Sequence, residues 1–188
     1  MKKLNLKDIL IPTIALLIIC LVATTLLAGT NMITKEKIAQ NASEKETASR
    51  MLVLPEGKEY GEVTTLDSGI TYCIGTNEAG EEVGYVFTSG AKGYGGTVGV
   101  MVGIDMDGVI TGVEILSHSE TPGLGANAVK PDFKDRFIGK TGALTVDKVS
   151  NEGQNIQAIT AATITSKAVT SAVNAVTDAF AEITGGAN

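Results

Sequence analysis

A run of hydroxyl-bearing and small residues near the C-terminus is the part of the chain best suited to chemistry: Thr160-Ala161-Ala162-Thr163-Ile164-Thr165-Ser166. It directly precedes a stretch with helical periodicity. The first backbone N–H groups of a helix have no partner within the helix, and the helix dipole favours an anion beside them. The segment is therefore suited to hold a phosphate, or to be esterified by one. The alternative is that these hydroxyls are plain N-caps, which is the usual role of Ser and Thr before a helix.

Two glycine-rich loops are a second candidate for a ligand site. Residues 90–96 read Gly-Ala-Lys-Gly-Tyr-Gly-Gly, residues 121–125 read Thr-Pro-Gly-Leu-Gly, and half of the 22 glycines fall between Gly84 and Gly125. Glycine permits positive φ and close approach of a ligand to the backbone. Each loop taken alone is more typical of a tight turn without a ligand. Neither loop fits the G-x-x-x-x-G-K-[ST] phosphate loop or the dinucleotide fingerprint, which needs a strand-turn-helix context.

The segments that these loops connect show the spacing of apolar residues that is typical of strands and helices. Short alternating runs predict strands at residues 62–66, 70–75, 82–88, 97–104, 109–116, 144–149 and 156–159. An Asp107-Gly108 pair between two such runs favours a hairpin. Residues 126–138 suggest a short amphipathic helix interrupted by Pro131, and residues 166–183 have apolar side chains at helical spacing. Strands first and a packing helix last predict an α+β domain with a small antiparallel sheet and packing helices.

Residues 9–28 form an uninterrupted stretch of uncharged, mostly apolar residues. At about 1.5 Å per residue, a helix of this length crosses a hydrocarbon core of about 30 Å. A cleaved signal peptide is the alternative, but its apolar region is normally about 7–15 residues long and ends at a small-x-small site. The residues that leave this stretch, Leu27-Ala28-Gly29-Thr30, are a poor cleavage site. The sequence therefore predicts a single uncleaved transmembrane helix.

The charge and the remaining reactive residues exclude several functions. The chain carries a net charge of −6, whereas nucleic-acid binding needs a basic face, so we expect no nucleic-acid partner. Of the two cysteines, Cys20 lies in the apolar stretch and Cys73 in a predicted strand, so they do not form a disulfide framework. With His118 as the sole histidine, no cluster has metal-ligand spacing, and we expect no metal site.

The predicted organisation has four parts. They are a cytoplasmic tail (1–8), the transmembrane helix (9–28), a polar helical linker (29–57) and the folded domain (58–188). A short tail follows the positive-inside rule, whereas a large domain is translocated largely regardless of its charges. Lys2, Lys3 and Lys7 therefore place the N-terminus in the cytoplasm and the domain on the outer side of the cell membrane.

Three segments taken together resemble a known family. Gly93-Tyr94-Gly95-Gly96, then residues 118–125, then residues 160–166 follow one another in the order and spacing of an FMN-binding domain. With the N-terminal span, the chain is similar to the G subunits of Rnf complexes, which move electrons between ferredoxin and NAD and couple this to ion translocation. The resemblance implies an electron-carrying flavoprotein subunit without independent catalytic activity, assembled with the other membrane subunits of such a complex.

The resemblance also implies how the flavin is attached. In this family, FMN is joined through its phosphate to the last threonine of a [ST]-[GA]-A-T motif, which falls on Thr163 here. A flavin transferase makes this bond and is thought to read an aspartate six residues before the acceptor, a position that Gln157 occupies in this chain. The motif residues expected at the cofactor are Thr160, Ala161, Ala162, Thr163, Thr165 and Ser166.

Further contacts with FMN are expected from the same resemblance. Residues 120–125 match the loop that lies against the flavin, and the N–H groups of Leu124 and Gly125 are expected to bond ring oxygens. Tyr94 or its neighbours would cover a ring face, and Lys167 would neutralise the phosphate. For Lys167 and His118 the alternatives are a solvated lysine and a hydrogen-bonded structural histidine. The further expected contacts are Tyr94, Gly95, His118, Glu120, Thr121, Pro122, Gly123, Leu124, Gly125 and Lys167.

Three other functions fit parts of the same pattern. The C subunit of a sodium-translocating NADH:quinone reductase has a similar domain but is typically a longer chain. A flavin-free, membrane-tethered adaptor would use the same loops for protein contacts. A surface hydrolase with a Ser or Thr nucleophile would need His118 as its base, but the sequence has no G-x-S-x-G elbow or ordered triad.

Overall fold

The computed structural model describes residues 6–185, which fall into two compact units that divide between Glu44 and Lys45. The described part of the first unit is wholly helical, and helix α1 (Leu6–Val53) runs through it and ends in the second unit. The polar residues predicted as a linker thus continue the apolar helix without a break. The second unit begins at Lys45 rather than at the predicted residue 58. Residues 1–5 of the predicted cytoplasmic tail lie outside the described residues.

The apolar part of α1 has the properties of a membrane span. Ile9–Lys35 is long and apolar enough to cross a bilayer by length and composition, with a mean hydropathy of 2.7. Threonine hydroxyls in this segment donate to carbonyls one turn earlier: Thr13 to Ile9 at 2.7 Å and Thr24 to Cys20 at 2.6 Å. Such bonds satisfy polar groups within the helix, as a hydrocarbon environment requires. The span predicted at residues 9–28 lies within this segment.

The second unit is built on an antiparallel sheet. Its strands are β1 (Glu59–Tyr60), β2 (Thr64–Thr65), β3 (Thr71–Thr76), β4 (Glu82–Lys92), β5 (Thr97–Asp105) and β6 (Ile110–Ser117). The order across the sheet is β1-β3-β4-β5-β6, with β2 also paired to β3. Strands β3 to β6 agree with the predicted strands, although β4 continues to Lys92. Strand β1 has no counterpart among the predicted strands, because its two residues are too few to show an alternation of apolar and polar side chains.

The segment after the sheet is more irregular than predicted. Its elements are a 3₁₀ turn (Gly125–Val129), helix α2 (Pro131–Lys134), a second 3₁₀ turn (Asp135–Phe137), the parallel strands β7 (Thr145–Asp147) and β8 (Asn155–Gln157), and helix α3 (Thr163–Ile183). The prediction of one helix over residues 126–138 is wrong. Pro131 lacks an N–H and occupies the first position of α2, so it starts a helix instead of interrupting one. Helix α3 begins at Thr163, not at the predicted Ser166.

Helices cover both faces of the sheet. On one face α3 packs against β4 and β5. The main core there includes Phe87, Val100, Val102, Val169, Val173 and Val176. On the opposite face, Val53 at the end of α1 and the next residue, Leu54, belong to a smaller core that also contains Cys73, Val86 and Met101. Because β5 is buried on both faces, its sequence is a nearly continuous apolar run rather than a strict alternation.

A row of glycines lets the end of α1 lie directly on the sheet. The glycine strip consists of one residue on each of four neighbouring strands, β3 to β6: Gly75, Gly84, Gly103 and Gly112. A Cβ added to Gly112 would lie 2.7 Å from Val53 Cα, and one added to Gly75 would lie 2.5 Å from Leu54 Cδ2. The hydroxyl of Thr111 also donates to Val53 O at 2.5 Å. Larger side chains in the strip would therefore displace α1 from the sheet.

Candidate functional site

The buried carboxylate of Glu120 connects the three segments that the sequence singles out. Its Oε1 accepts the N–H of Gly95 at 3.0 Å, and its Oε2 accepts the hydroxyl of Thr165 at 2.5 Å. Glu120 is only 6% exposed, so these bonds form away from water. One side chain therefore holds together the glycine-rich loop between β4 and β5, the loop after β6 and the start of α3.

The packing around this carboxylate explains several glycines of the two loops. A Cβ added to Gly125 would lie 2.5 Å from both Glu120 Oε2 and Thr165 Oγ1. A Cβ on Gly93 would collide with Glu120 Oε1, and one on Gly95 with the carbonyl oxygen of Ser119. These glycines are therefore needed for the loops to close around Glu120, whatever ligand the loops also approach.

Hydrogen bonds keep Glu120 ionised in spite of its burial. Burial by itself raises the pKa of this carboxyl, but the bonds from the Thr165 hydroxyl and from the N–H groups of Gly95 and Tyr94 lower it, as does the proximity of His118. Donors that bond to the charged form stabilise it. The net result is a pKa of Glu120 below its ordinary value, so the side chain is a carboxylate at neutral pH.

A cleft of about 630 Å³ opens beside Glu120. Its lining comes from all three segments: Tyr94, Glu120, Thr121, Leu124, Gly125, Ala161, Ala162, Thr163, Ile164 and Thr165. Cofactor sites are typically clefts of about 300–1,000 Å³ with mostly apolar walls and a few polar groups. Tyr94 is 74% exposed, Ile164 56% and Leu124 43%. Exposed apolar side chains grouped at one opening are typical of binding surfaces.

Thr163 lies at the edge of this cleft, in the first position of α3. The preceding residue, Ala162, is the N-cap and provides no side-chain hydrogen bond. The bond from Ser166 N–H to Ala162 O, at 3.0 Å, starts the helical pattern. The N–H groups before it have no acceptor within the helix, which is the property that suits helix N-termini to anions. A second cleft, of about 290 Å³, adjoins the first and shares Ala161 and Thr163 with it.

The two hydroxyls that follow Thr163 are engaged within the protein. Ser166 is fully buried; its Oγ donates to Ala162 O at 3.0 Å and accepts the N–H of Ile159 at 2.9 Å. The expectation that Ser166 lies beside a bound phosphate is therefore corrected, because this residue is on the inward face of α3. Thr165 does line the larger cleft, but its hydroxyl is taken up by Glu120.

Several other expected contacts lie outside both clefts. Lys167 is an exposed residue of α3 that lines neither of them. His118 is also exposed, and its Nδ1 accepts the N–H of Glu120 at 3.3 Å, which is a structural role. Pro122 and Gly123 are exposed in the turn before Gly125, and Gly123 has a φ of +78°.

Two backbone details refine the expected contacts. The N–H of Leu124 donates to Thr121 O at 3.2 Å within the turn. The contacts of the Leu124 and Gly125 N–H groups with flavin ring oxygens stay predictions. Thr160 is exposed and lines the smaller cleft, which Thr163 also lines. Sequence reasoning missed the role of Glu120 as a connector, and it missed Lys148, which also lines the smaller cleft. Neither role has a local sequence signal, since the partners are distant in the chain.

The conformation of Ala161 gives a first prediction. Its φ is +60°, a left-handed conformation that costs a residue with a side chain about 1–2 kcal/mol. Glycine avoids this cost but loses about 0.4–1 kcal/mol through the greater freedom of the unfolded chain. We therefore expect Ala161→Gly to raise the free energy of unfolding by about 0.5 kcal/mol. Thermal unfolding of the detergent-solubilised full chain, followed by near-UV circular dichroism, measures the change.

Ala162→Gly is the matched control for this prediction. Ala162 has a φ of −135° and is buried, so glycine gains nothing there and removes a packed methyl group. This variant should be less stable than the parent by about 1 kcal/mol. A loss of stability in both variants would show that the left-handed conformation of Ala161 carries no strain.

Comparisons with known proteins show the family to which the chain belongs. A sequence model of the FMN-binding domain matches residues 93–178, which include the lining of both clefts, and a model of the RnfG N-terminal region matches residues 1–50. The G subunit of the Na(+)-translocating ferredoxin:NAD(+) oxidoreductase complex of Acetobacterium woodii is 41% identical, over 85% of each chain. The G subunit of the proton-translocating complex of Clostridium ljungdahlii is 34% identical, over 91% of each chain. The chain belongs to the RnfG family.

A solved structure also shares the fold of this RnfG protein. NqrC of Shewanella oneidensis aligns with a TM-score of 0.50 over 63% of this chain and 64% of that chain, at 19% sequence identity. At that identity the likeness shows the fold alone, and it confirms the predicted α+β class. Membership of the RnfG family decides against the alternative of a C subunit of a sodium-translocating NADH:quinone reductase.

Proposed function

We propose that this RnfG protein carries FMN esterified to Thr163 and passes electrons within an ion-translocating ferredoxin:NAD oxidoreductase complex, together with the other membrane subunits. The observation that carries the proposal is the position of Thr163. It starts α3, where the first backbone N–H groups have no acceptor within the helix, and it lines both clefts. FMN, when bound, supplies the redox chemistry, and the protein supplies its position and electrostatic environment.

The residues of the larger cleft fit the chemical parts of FMN. Tyr94, Leu124 and Ile164 offer an apolar surface for a planar ring system. The start of α3 offers N–H groups and a dipole to the phosphate. Glu120 fixes the distance between these two parts, because it bonds to the loop that carries Tyr94 and to α3. We assign it a positioning role for this reason.

Attachment of the flavin requires an activated donor and a transferase. The Thr163 hydroxyl loses its proton as its oxygen bonds to the flavin phosphorus, and the donor loses the group previously bound to that phosphorus. Gln157, at the position of the expected aspartate, ends β8; its carbonyl accepts a bond from Arg136 and its side chain is half-buried. A transferase that acts on this chain must therefore accept glutamine there.

The mass of the purified full chain tests the proposal. We expect an excess over the polypeptide mass equal to one FMN less one water, and flavin fluorescence that stays with the chain on a denaturing gel. An unmodified mass with flavin released on denaturation would mean that the flavin is bound without a covalent bond. An unmodified mass without any flavin would favour the membrane-tethered adaptor.

The proposed orientation has the N-terminus in the cytoplasm and the domain outside the membrane. It rests on the lysines before the span and on the size of the domain after it. Protease added to intact spheroplasts should therefore degrade the domain, whereas a cytoplasmic marker protein survives. Protection of the domain until the membrane is opened would reverse the assignment.

A further inference from the structure

The smaller cleft contains a basic residue that the assignments above leave without a role. It is lined by Lys148, Ala158, Ile159, Thr160, Ala161 and Thr163. Ala161 and Thr163 also line the larger, mostly apolar cleft. A group bound at the Thr163 hydroxyl thus has an apolar surface on one side and a lysine on the other. This division matches a molecule with an apolar ring at one end and a phosphate at the other.

The backbone fixes the position of Lys148 next to the Thr160–Thr163 segment. Strands β7 and β8 are parallel, with Asp147 opposite Gln157. The N–H of Ala158 donates to Asp147 O at 2.7 Å. This bond extends the pairing to the residues that directly follow β7 and β8. Lys148 therefore lies beside the residues that lead into Thr163, although it is distant from Thr163 in the sequence.

The charge of Lys148 is available to an anion. The carboxylate of the adjacent Asp147 accepts the N–H groups of Val149 at 2.7 Å and Ser150 at 2.8 Å, and these bonds lower its pKa. Asp147 thereby shapes the turn after β7. Among the side chains that the structure describes, ion pairs join Glu46 to Arg50 and Glu114 to Lys134, and none involves Lys148.

We propose that Lys148 is the cationic contact of the flavin phosphate and makes the site prefer FMN to riboflavin. The proposal rests on FMN being the ligand of the Thr163 site. It replaces Lys167, which the family resemblance suggested for this role, because Lys167 lines neither cleft. A contact between an ammonium group and a phosphate is charge-assisted, and exposure to water reduces its strength.

The test compares Lys148→Gln with the matched control Lys167→Gln in the full chain. Both changes remove one exposed lysine charge, so a general effect of net charge would appear in both. In a Thr163→Val background, which leaves any flavin unattached, we expect Lys148→Gln to weaken FMN binding about fivefold and to leave riboflavin binding unchanged. Lys167→Gln should change neither, and Lys148→Arg should keep the preference for FMN. Added salt should reduce the preference of the parent but not that of Lys148→Gln.

The initial rate of covalent flavin incorporation into chains with Thr163 intact is the second measurement. We expect Lys148→Gln to be slower than the parent at low salt and Lys167→Gln to match the parent. Equal behaviour of the two lysine variants in both measurements would overturn the proposal for Lys148. If the parent chain carries no covalent flavin, the attachment proposed for Thr163 fails by itself, and the FMN and riboflavin affinities still decide the role of Lys148.

Discussion

Thr163→Val is expected to leave the chain without covalent FMN while the domain keeps its fold. Valine has nearly the shape of threonine but lacks the oxygen that a phosphoester requires. Thr163 is half-buried at the first position of α3 and makes no side-chain hydrogen bond among those described in the structure, so the fold loses little. Flavin fluorescence on a denaturing gel and the intact mass should both lose the flavin signal, and near-UV circular dichroism should remain that of the parent.

Two neighbouring threonines provide the controls. Thr160→Val alters an exposed residue of the same cleft and should keep covalent flavin. Thr165→Val should also keep it, but at a cost of about 2 kcal/mol in stability, because its hydroxyl donates to the charged Glu120. Fluorescence that survives Thr163→Val and disappears in one of these controls would identify a different acceptor.

Glu120→Ala is expected to have the largest effect on stability. It leaves the N–H of Gly95 and the buried hydroxyl of Thr165 without their acceptor, and it empties the space around which both loops close. We expect a loss of about 3 kcal/mol in the free energy of unfolding, or roughly 10 °C in the midpoint of thermal unfolding. Glu62→Ala, at an exposed position, should change the stability by less than about 0.5 kcal/mol. Equal midpoints for the two variants would contradict the role given to Glu120.

The role of Glu120 also predicts how the stability of the domain depends on pH. Because the pKa of Glu120 is lowered by folding, its ionised form stabilises the domain above the ordinary carboxyl pKa of about 4.3. That contribution is lost as the pH falls through the folded pKa. Glu120→Gln should therefore be less stable than the parent at neutral pH, and the difference should shrink in acid. A difference that stays constant down to about pH 3 would show that the charge of Glu120 plays no part.

Local patterns predicted much of the fold correctly. The Asp107-Gly108 signal falls in the turn between β5 and β6, where Asp105 Oδ1 accepts the N–H groups of Asp107 and Val109, each at 2.9 Å. These bonds join residues within one turn, so the sequence contains the whole signal. The predicted start of α3 at Ser166 assumes a hydroxyl residue at the N-cap. Ala162 occupies that position, and the helix begins at Thr163 without a side-chain cap.

The site needed information that no local pattern contains. Glu120 bonds to Gly95 and Thr165, which are 25 and 45 residues away in the sequence, and only the folded chain brings them together. For Ser166 the local sequence is misleading, because it suggests a contact that the packing of the helix prevents. Its type and position suit an anion site, but the direction of its side chain depends on which face of α3 packs against the sheet, and that face is buried.

The glycine strip has a practical consequence for work on the water-soluble part of the protein. A fragment that began at residue 58, where charge and periodicity suggest a domain boundary, would lack Val53 and Leu54. Their removal would uncover Met101 and Val86. It would also uncover the backbone of β3 to β6 at the glycine strip, where no side chains cover it. Exposed apolar surface of this kind promotes aggregation. A fragment that begins before Lys45, whose Nζ donates to Ile115 O and Leu116 O at 3.0 and 2.6 Å, would keep the residues that cover this face and should be the soluble one.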